Sequence, residues 1–460
     1  MSHTLSQQLQ EDPQLIEGKK LILDALKKHQ KSITGIRPAK SKFKADYEST
    51  IKRLEEIRAG GLIYPYLGSG FGKGPFVELE DGSVKYDFIC GIGVYQFGHA
   101  NPDIVEASID GAIQDTLIQG HVQQNRNSLE LSEQILGLAN QGQHMFDHCF
   151  LTSSGVMAAE NALKLTFNKN QPANRILAFK RCFAGRTIAF SHINDKAMTR
   201  AGLPDAFPVD HVPFFDPEDP EESTQRTLEA IKTKVEEYPD KHAGMIFELV
   251  QGEGGFYPGE SNYFRKVMEF CKSKGIAVLV DEIQTFSRLK TPFAYQYFGL
   301  PDLIDMVWIG KASQVCATLF KSDWKPPAGL LGQTYTSATS TIEGAKQILK
   351  ALSEKPFFGD SGKIERLSKF TQEKLAQFEA ETGLINGPFG LGSMICFTPY
   401  NGDGVKVGSF LKRLFENGVI ALSAGSNPTK CRFLLPYPVI EEDDIEAVLN
   451  IVFSTLKELA

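Results

Sequence analysis

Three apolar runs in the middle of the chain each lead to a residue able to do acid–base or carbonyl chemistry. "MIFELVQGEGG" (245–255) carries Glu248 at its exit, "IAVLVDEIQTFSR" (276–288) ends its run at Asp281, and "DMVWIGKASQ" (305–314) delivers Lys311. A lysine beside such a run is ordinarily a strand end whose amine snorkels to water. Two acids at equivalent positions change that expectation, because residues at the C-terminal ends of parallel strands share one ligand-binding crevice. Glu282, next after Asp281, should point to the opposite face. A fourth stretch, "LTSSGVMAAENALKLTF" (151–167), runs from a short strand through Ser153-Ser154-Gly155 into an amphipathic helix. Small residues at a helix start leave backbone N–H groups unpaired beside the positive end of the dipole, a setting that suits an anion and commonly phosphate. A plain N-cap by either serine accounts for the serines but is silent on the glycine. An anion cradle, a carboxylate for a ring nitrogen and a lysine for a Schiff base are the parts that hold pyridoxal 5′-phosphate.

The elements that must position these residues show in the hydrophobic rhythm. After residue 100, helical stretches alternate with the short apolar runs "HCFLT", "RILAF", "AGMIFELV", "IAVLVDE" and "DMVWIG". That alternation predicts βαβ units around a mainly parallel sheet, an α/β fold. Before it, helical spacing covers 14–32 and 44–59, and the stretch from 61 reads as loops and short strands with "EDG" as a hairpin turn. After an amphipathic stretch at about 340–353, helices (362–382, 404–417, 441–458) alternate with "SMICFTPY", "VIALS" and "CRFLLP", which suggests a smaller C-terminal α/β domain. The expected division is 1–75 as an N-terminal helical segment and loop packing with the small domain, 76–340 as the large domain, and 341–460 as the small one. A chain of 460 residues is long enough for two cores.

Other motifs carry less. "GSGFGKG" (68–74) contains G-x-G-x-G, but neither an apolar strand before it nor a helix after it supports a dinucleotide fingerprint, and a flexible loop is expected. "HMFDH" (144–148) spaces two histidines for one helix face, yet it lacks the HExxH glutamate and a third ligand, so no metal is expected. The net charge of −7, without a Lys/Arg block, argues against nucleic acid. No apolar run reaches membrane-spanning length and no hydrophobic signal core opens the chain, so no membrane association and a cytoplasmic setting are expected. Seven cysteines without a CxxC read as reduced thiols.

With these motifs in order, the chain resembles the class III (ω-amino acid) aminotransferases of the fold-type-I pyridoxal-phosphate enzymes, from "PFVELEDGSVKYDFICGIGVYQFGHANP" at about residue 76 to the C-terminus. That group includes 4-aminobutyrate, ornithine, acetylornithine and lysine ε-aminotransferases. The resemblance implies a large domain with a mainly parallel sheet between helices plus a smaller α/β domain. It implies that Lys311 anchors the cofactor and moves the proton, and that Asp281 meets the pyridinium nitrogen. The phosphate loop is Ser154-Gly155-Val156, the third residue lacking the family's hydroxyl. In "FAGRT" (183–187), Phe183 would stack on the ring and Arg186 would be available for a substrate carboxylate. In "DEIQTF", Ile283 takes the second ring face and Gln284 the phenolic oxygen. Glu248 in "FELVQGEGG" belongs to the substrate site, and Arg432 in "CRFLLPYPV" clamps an α-carboxylate. Thr334 in "TYTSAT" reaches the phosphate of the neighbouring subunit in a homodimer.

The implied activity is transfer of an amino group from an ω-amino acid or diamine-type donor, 4-aminobutyrate- or lysine-like, to a 2-oxo acid such as 2-oxoglutarate, by a ping-pong route. An aminomutase or racemase on the same scaffold is the alternative, and a non-catalytic cofactor-binding protein a remoter one. Two departures stand out. Ala184 replaces the family's frequent His or Trp and suggests a roomier pocket, and "ASQVCATLF" follows the lysine where a glycine-rich run is usual.

Overall fold

The computed structural model describes residues 3–115, 117–118 and 120–460. The chain forms two compact units: Met1–Gln114 with Arg366–Phe389 and Ile395–Ala460, and Asp115–Glu365 with Gly390–Met394.

The second unit is built on a seven-stranded sheet. Its strands are β1 (His148–Thr152), β2 (Arg175–Phe179), β3 (Val209–Val212), β4 (His242–Glu248), β5 (Ala277–Asp281), β6 (Met306–Ile309) and β7 (Cys316–Phe320). They lie in the order β1-β7-β6-β5-β4-β2-β3. Strands β2 to β6 run parallel, while β7 is antiparallel to both β6 and β1. Every residue of β4, β5 and β6 is buried. Strands covered on both faces read as continuous apolar runs, which is why these were legible. Each Val, Leu or Ile buried this way contributes about 1.5–3 kcal/mol.

Two strands escape the sequence reading. "VDHV" (β3) is a short, half-buried alternation. "CATLF" (β7) returns directly after the lysine turn as a hairpin with β6, without the intervening helix that a βαβ rhythm leads one to look for.

Helix α1 (Gly155–Lys169) follows β1. Its Ala158, Ala159 and Ala162 are fully buried, small enough to let the helix lie close against the sheet. The Thr318 hydroxyl on β7 donates to the Ala158 carbonyl at 2.7 Å. That bond pins the start of α1 to the strand that leaves the lysine turn.

In the first unit, helices Pro13–Gln30 and Ser41–Arg58 stand where the 3.6-residue spacing predicts. The glycine-rich string is not the expected loop: Gly68–Lys73 is a strand, antiparallel to Phe76–Leu79. The "EDG" turn joins Phe76–Leu79 to Val84–Asp87, with Gly82 at φ 76°. "VIALS" splits, Val419–Ile420 pairing with Val84–Asp87 and Leu422–Ala424 with Lys430–Leu434. His144 bonds Asp147 at 2.9 Å and His148 opens β1. All seven cysteines are free thiols, five buried and two half-buried. Among the described residues no helix is long and apolar enough to cross a membrane.

Candidate active site

Parallel pairing brings three strand exits together. Asp281, the last residue of β5, is in register with Glu248 on β4 and with Trp308 on β6. Two residues beyond β6, Lys311 opens a tight turn. Lys311, Asp281, Glu248, Gly155, Val156, Phe183, Ile283 and Gln284 all line one cavity of about 230 Å³, together with Ala184, Gly185, Val250 and Thr285. These eight residues, named from strand exits and from the family resemblance, are brought together on one cavity wall.

The turn is strained where it matters. Lys311 has φ 52° and Gln314 φ 57°, left-handed conformations that cost a residue with a Cβ about 1–3 kcal/mol. The Lys311 carbonyl accepts from the Gln314 N–H at 2.8 Å, and the β6–β7 hairpin holds both ends.

The carboxylates differ in their surroundings. Asp281 is 8 % exposed, and burial pushes it up to about 6. The Ile283 N–H at 2.9 Å, the Trp308 indole N–H and the charge of Lys311 pull it the other way. Glu248 is 7 % exposed and is pushed up to about 8, chiefly by burial and then by the neighbouring Asp281. Its two oxygens accept from the backbone N–H groups of Phe183 at 2.9 Å and Gly252 at 3.2 Å. Glu282 turns to the other face, as strand alternation predicts, and accepts from the Thr285 hydroxyl and from the Tyr295 N–H at 3.0 Å.

Close approach explains two glycines. A Cβ on Gly155 would lie 2.6 Å from Ile283 Cδ1. Gly185, at φ 143°, lies against Val156, and a Cβ there would lie 2.3 Å from its Cγ2. The residue that replaces the family's hydroxyl therefore packs on the loop that carries Phe183.

Other candidates lie outside the cavity lining. Ser154 caps α1, its hydroxyl oxygen accepting from the Met157 N–H at 3.3 Å, while Gly155 and Val156 line the cavity. Arg186 is exposed, its guanidinium 5.9 Å from the Phe183 ring centroid. Thr334 is exposed at a bend. Arg432 belongs to the first unit, where it is 3 % exposed on the strand Lys430–Leu434.

Three supporting residues were not foreseen. Asn194, fully buried, accepts from the Ala184 N–H and donates to the Gly185 carbonyl, both at 2.7 Å. Arg288, 1 % exposed, donates to the Gln284 carbonyl at 2.9 Å. Trp308 flanks Asp281 in register. Only Arg288 had a signal, a charge close behind a buried strand exit; the other two depend on tertiary register.

A lysine, an acid and a helix start around one cavity at the exits of a mainly parallel sheet define a pyridoxal-phosphate site of the fold-type-I kind. The chain belongs to the class-III aminotransferases, whose family model matches residues 70–456. It is 30% identical over 420 residues to the 2-aminoadipate transaminase of Pseudomonas putida, covering 86% of this chain and 97% of that one. It is 28% identical over 435 residues to the 5-aminovalerate aminotransferase of Pseudomonas aeruginosa, covering 90% and 99%. The structure of the lysine aminotransferase of M. tuberculosis shares the fold, with a TM-score of 0.77 at 21% identity over 89% of this chain and 100% of that one.

Class-III aminotransferases depend on pyridoxal phosphate, and the residues present fit it. The cavity wall has a helix start for an anion, an apolar pair in Phe183 and Ile283, and an acid beside a lysine. Among the described residues the buried Gln284 amide oxygen has no partner, which leaves one end of that amide for a ligand.

Proposed function

We propose that the protein transfers an amino group from an ω-amino acid or diamine-type donor, 4-aminobutyrate- or lysine-like, to a 2-oxo acid, with 2-oxoglutarate as the acceptor. The observation that carries this reading is the placement of Lys311 and Asp281 on one cavity wall with Phe183 and Ile283. Similarity to a 5-aminovalerate aminotransferase and a 2-aminoadipate transaminase supports a donor or acceptor with a terminal charged group.

Bound pyridoxal phosphate supplies an electron sink for the carbanion left when a C–H bond beside the amino group breaks. The residues of the chain do the rest. The Lys311 amine anchors the cofactor and then takes and returns the proton at the substrate carbon. The Asp281 carboxylate holds the proton on the ring nitrogen. Phe183 and Ile283 bracket the ring plane, so that the breaking bond can be aligned with the π system. The N–H groups of Gly155 and Val156, behind the Ser154 cap, hold the phosphate. Gln284 bonds the phenolic oxygen. Arg432 is assigned to the α-carboxylate of the 2-oxo acid, and Arg186 to a second carboxylate. Thr334, exposed at its bend, is assigned to the phosphate of the partner subunit in a homodimer.

The test is a half-reaction screen. The purified holoenzyme is mixed with 4-aminobutyrate, 5-aminovalerate, lysine, ornithine or α-amino acids, and loss of the visible cofactor band is followed. Fast bleaching by an ω-amine, restored by 2-oxoglutarate, is the expected result. Product formed without any keto acid would instead indicate an aminomutase.

A further inference from the structure

We propose that Glu248 is a positioning residue of this site, fastening Phe183 over the cofactor ring through its backbone N–H from the register place beside Asp281. The proposal rests on the pyridoxal-phosphate reading above, and it gives Glu248 a different task from the substrate contact that the family resemblance implies.

The geometry begins with the loop after β2. This segment has no regular structure around Phe183, yet it carries the aromatic ring in the cavity wall. Side chains hold its backbone at successive points. The Gln251 amide donates to the Lys180 carbonyl at 2.7 Å, Asp195 accepts from the Arg181 N–H at 2.8 Å, and Asn194 accepts from the Ala184 N–H at 2.7 Å. At Phe183 itself the acceptor is Glu248, at 2.9 Å. Of these four side chains only Glu248 also lines the cavity. Its second oxygen accepts from the Gly252 N–H at 3.2 Å, so the same carboxyl ties the β4 exit turn to the Phe183 loop. With an N–H on each oxygen, the carboxyl is committed to the backbone.

The charge arrangement agrees with this task. The groups acting on Glu248 are Asp281 on β5, Glu253 in the following turn, and the two N–H donors. The Lys311 charge is among the groups that act on Asp281. Of two buried acids side by side, the one with the cation nearby keeps the negative charge and the other keeps the proton. Burial and Asp281 push Glu248 to about 8, whereas Asp281 stays at about 6. Glu248 is thus held further toward its neutral form than Asp281, the acid beside the lysine.

The experiment is reconstitution of the apoenzyme with pyridoxal phosphate, followed by absorbance, for the wild type, Glu248→Gln, Glu248→Ala, Phe183→Leu and the combination of the last two. Glu248→Gln keeps an acceptor for Phe183 and should bind the cofactor within about threefold of wild type. Glu248→Ala should weaken binding about tenfold or more. Because both act through one ring, Phe183→Leu with Glu248→Ala should be no worse than about the larger single effect. Additive losses, or wild-type affinity in Glu248→Ala, would overturn the proposal. If Glu248→Ala does not fold, the pH dependence of the bound-cofactor spectrum decides. A step on the alkaline side of neutrality, present in wild type and absent from Glu248→Gln, supports the assignment, and the same step in both overturns it. Wild type that takes up no pyridoxal phosphate would overturn the functional reading itself, whereas uptake by all variants alike would overturn this proposal alone.

Discussion

Asp281 and Glu282 are neighbours in the chain on opposite sides of one strand exit, and burial raises both, to about 6 and about 7. On the cavity side, Asp281 accepts one backbone N–H, stands near a lysine and opens onto space for a ligand. On the far side, Glu282 is enclosed, taking the Thr285 hydroxyl and the Tyr295 N–H. The same perturbation thus marks a functional group on one face and a structural tie on the other. Perturbed acidity alone does not separate them; access and the neighbouring cation do.

The strongest break in that comparison removes the cation. Lys311→Ala should abolish turnover, by about four orders of magnitude or more, and with it the visible band of the covalently held cofactor. Retained turnover and an unchanged spectrum would sink the assignment of the near face as the reacting one. Next comes the near-face acid. Asp281→Asn keeps the shape but cannot hold a cationic ring nitrogen, so kcat should fall about 10²–10³-fold with the fold intact. A smaller effect is expected from the cradle: Gly155→Ala drives a Cβ into Ile283, 2.6 Å away, and should weaken cofactor binding about tenfold in a reconstitution titration.

What the sequence reveals of this arrangement follows from its physics. Continuous apolar runs expose β4, β5 and β6 because those strands are buried on both faces, and their exits name Glu248, Asp281 and Lys311 directly. Period-two alternation separates Asp281 from Glu282 without any structure. Hidden from it are the features made by chain reversal and register. The return strand β7 has no helix to announce it, Trp308 acts through its place opposite Asp281, and Asn194 serves a loop ten residues back in the chain. The glycine-rich string reads as a loop because glycine weakens every strand signal, although pairing with Phe76–Leu79 overrides it.

The smallest expected effect sharpens the comparison from the far face. Glu282→Gln should leave kcat within about twofold, because Glu282 does not line the cavity. Its signature is in stability. A glutamine keeps one acceptor for two donors, the Thr285 hydroxyl and the Tyr295 N–H, so at pH 5 the variant should melt a few degrees lower, about 1–3 °C. The sign then changes with pH. Glu282 ionises near 7 in the fold against the usual 4.5, so the folded state holds that proton more tightly than the unfolded state. This stabilises the wild type fully below about 4.5, and the benefit is lost as the pH climbs through about 7. Glutamine cannot titrate, whereas the raised carboxyls of Asp281 and Glu248 are present in both proteins. The melting gap between wild type and Glu282→Gln, measured on the same apoenzyme preparation, should therefore shrink toward zero or reverse by pH 8. A gap that stays constant from pH 5 to 8 would mean that Glu282 is ionised throughout, and the far face would then need a buried cation that stands beside it.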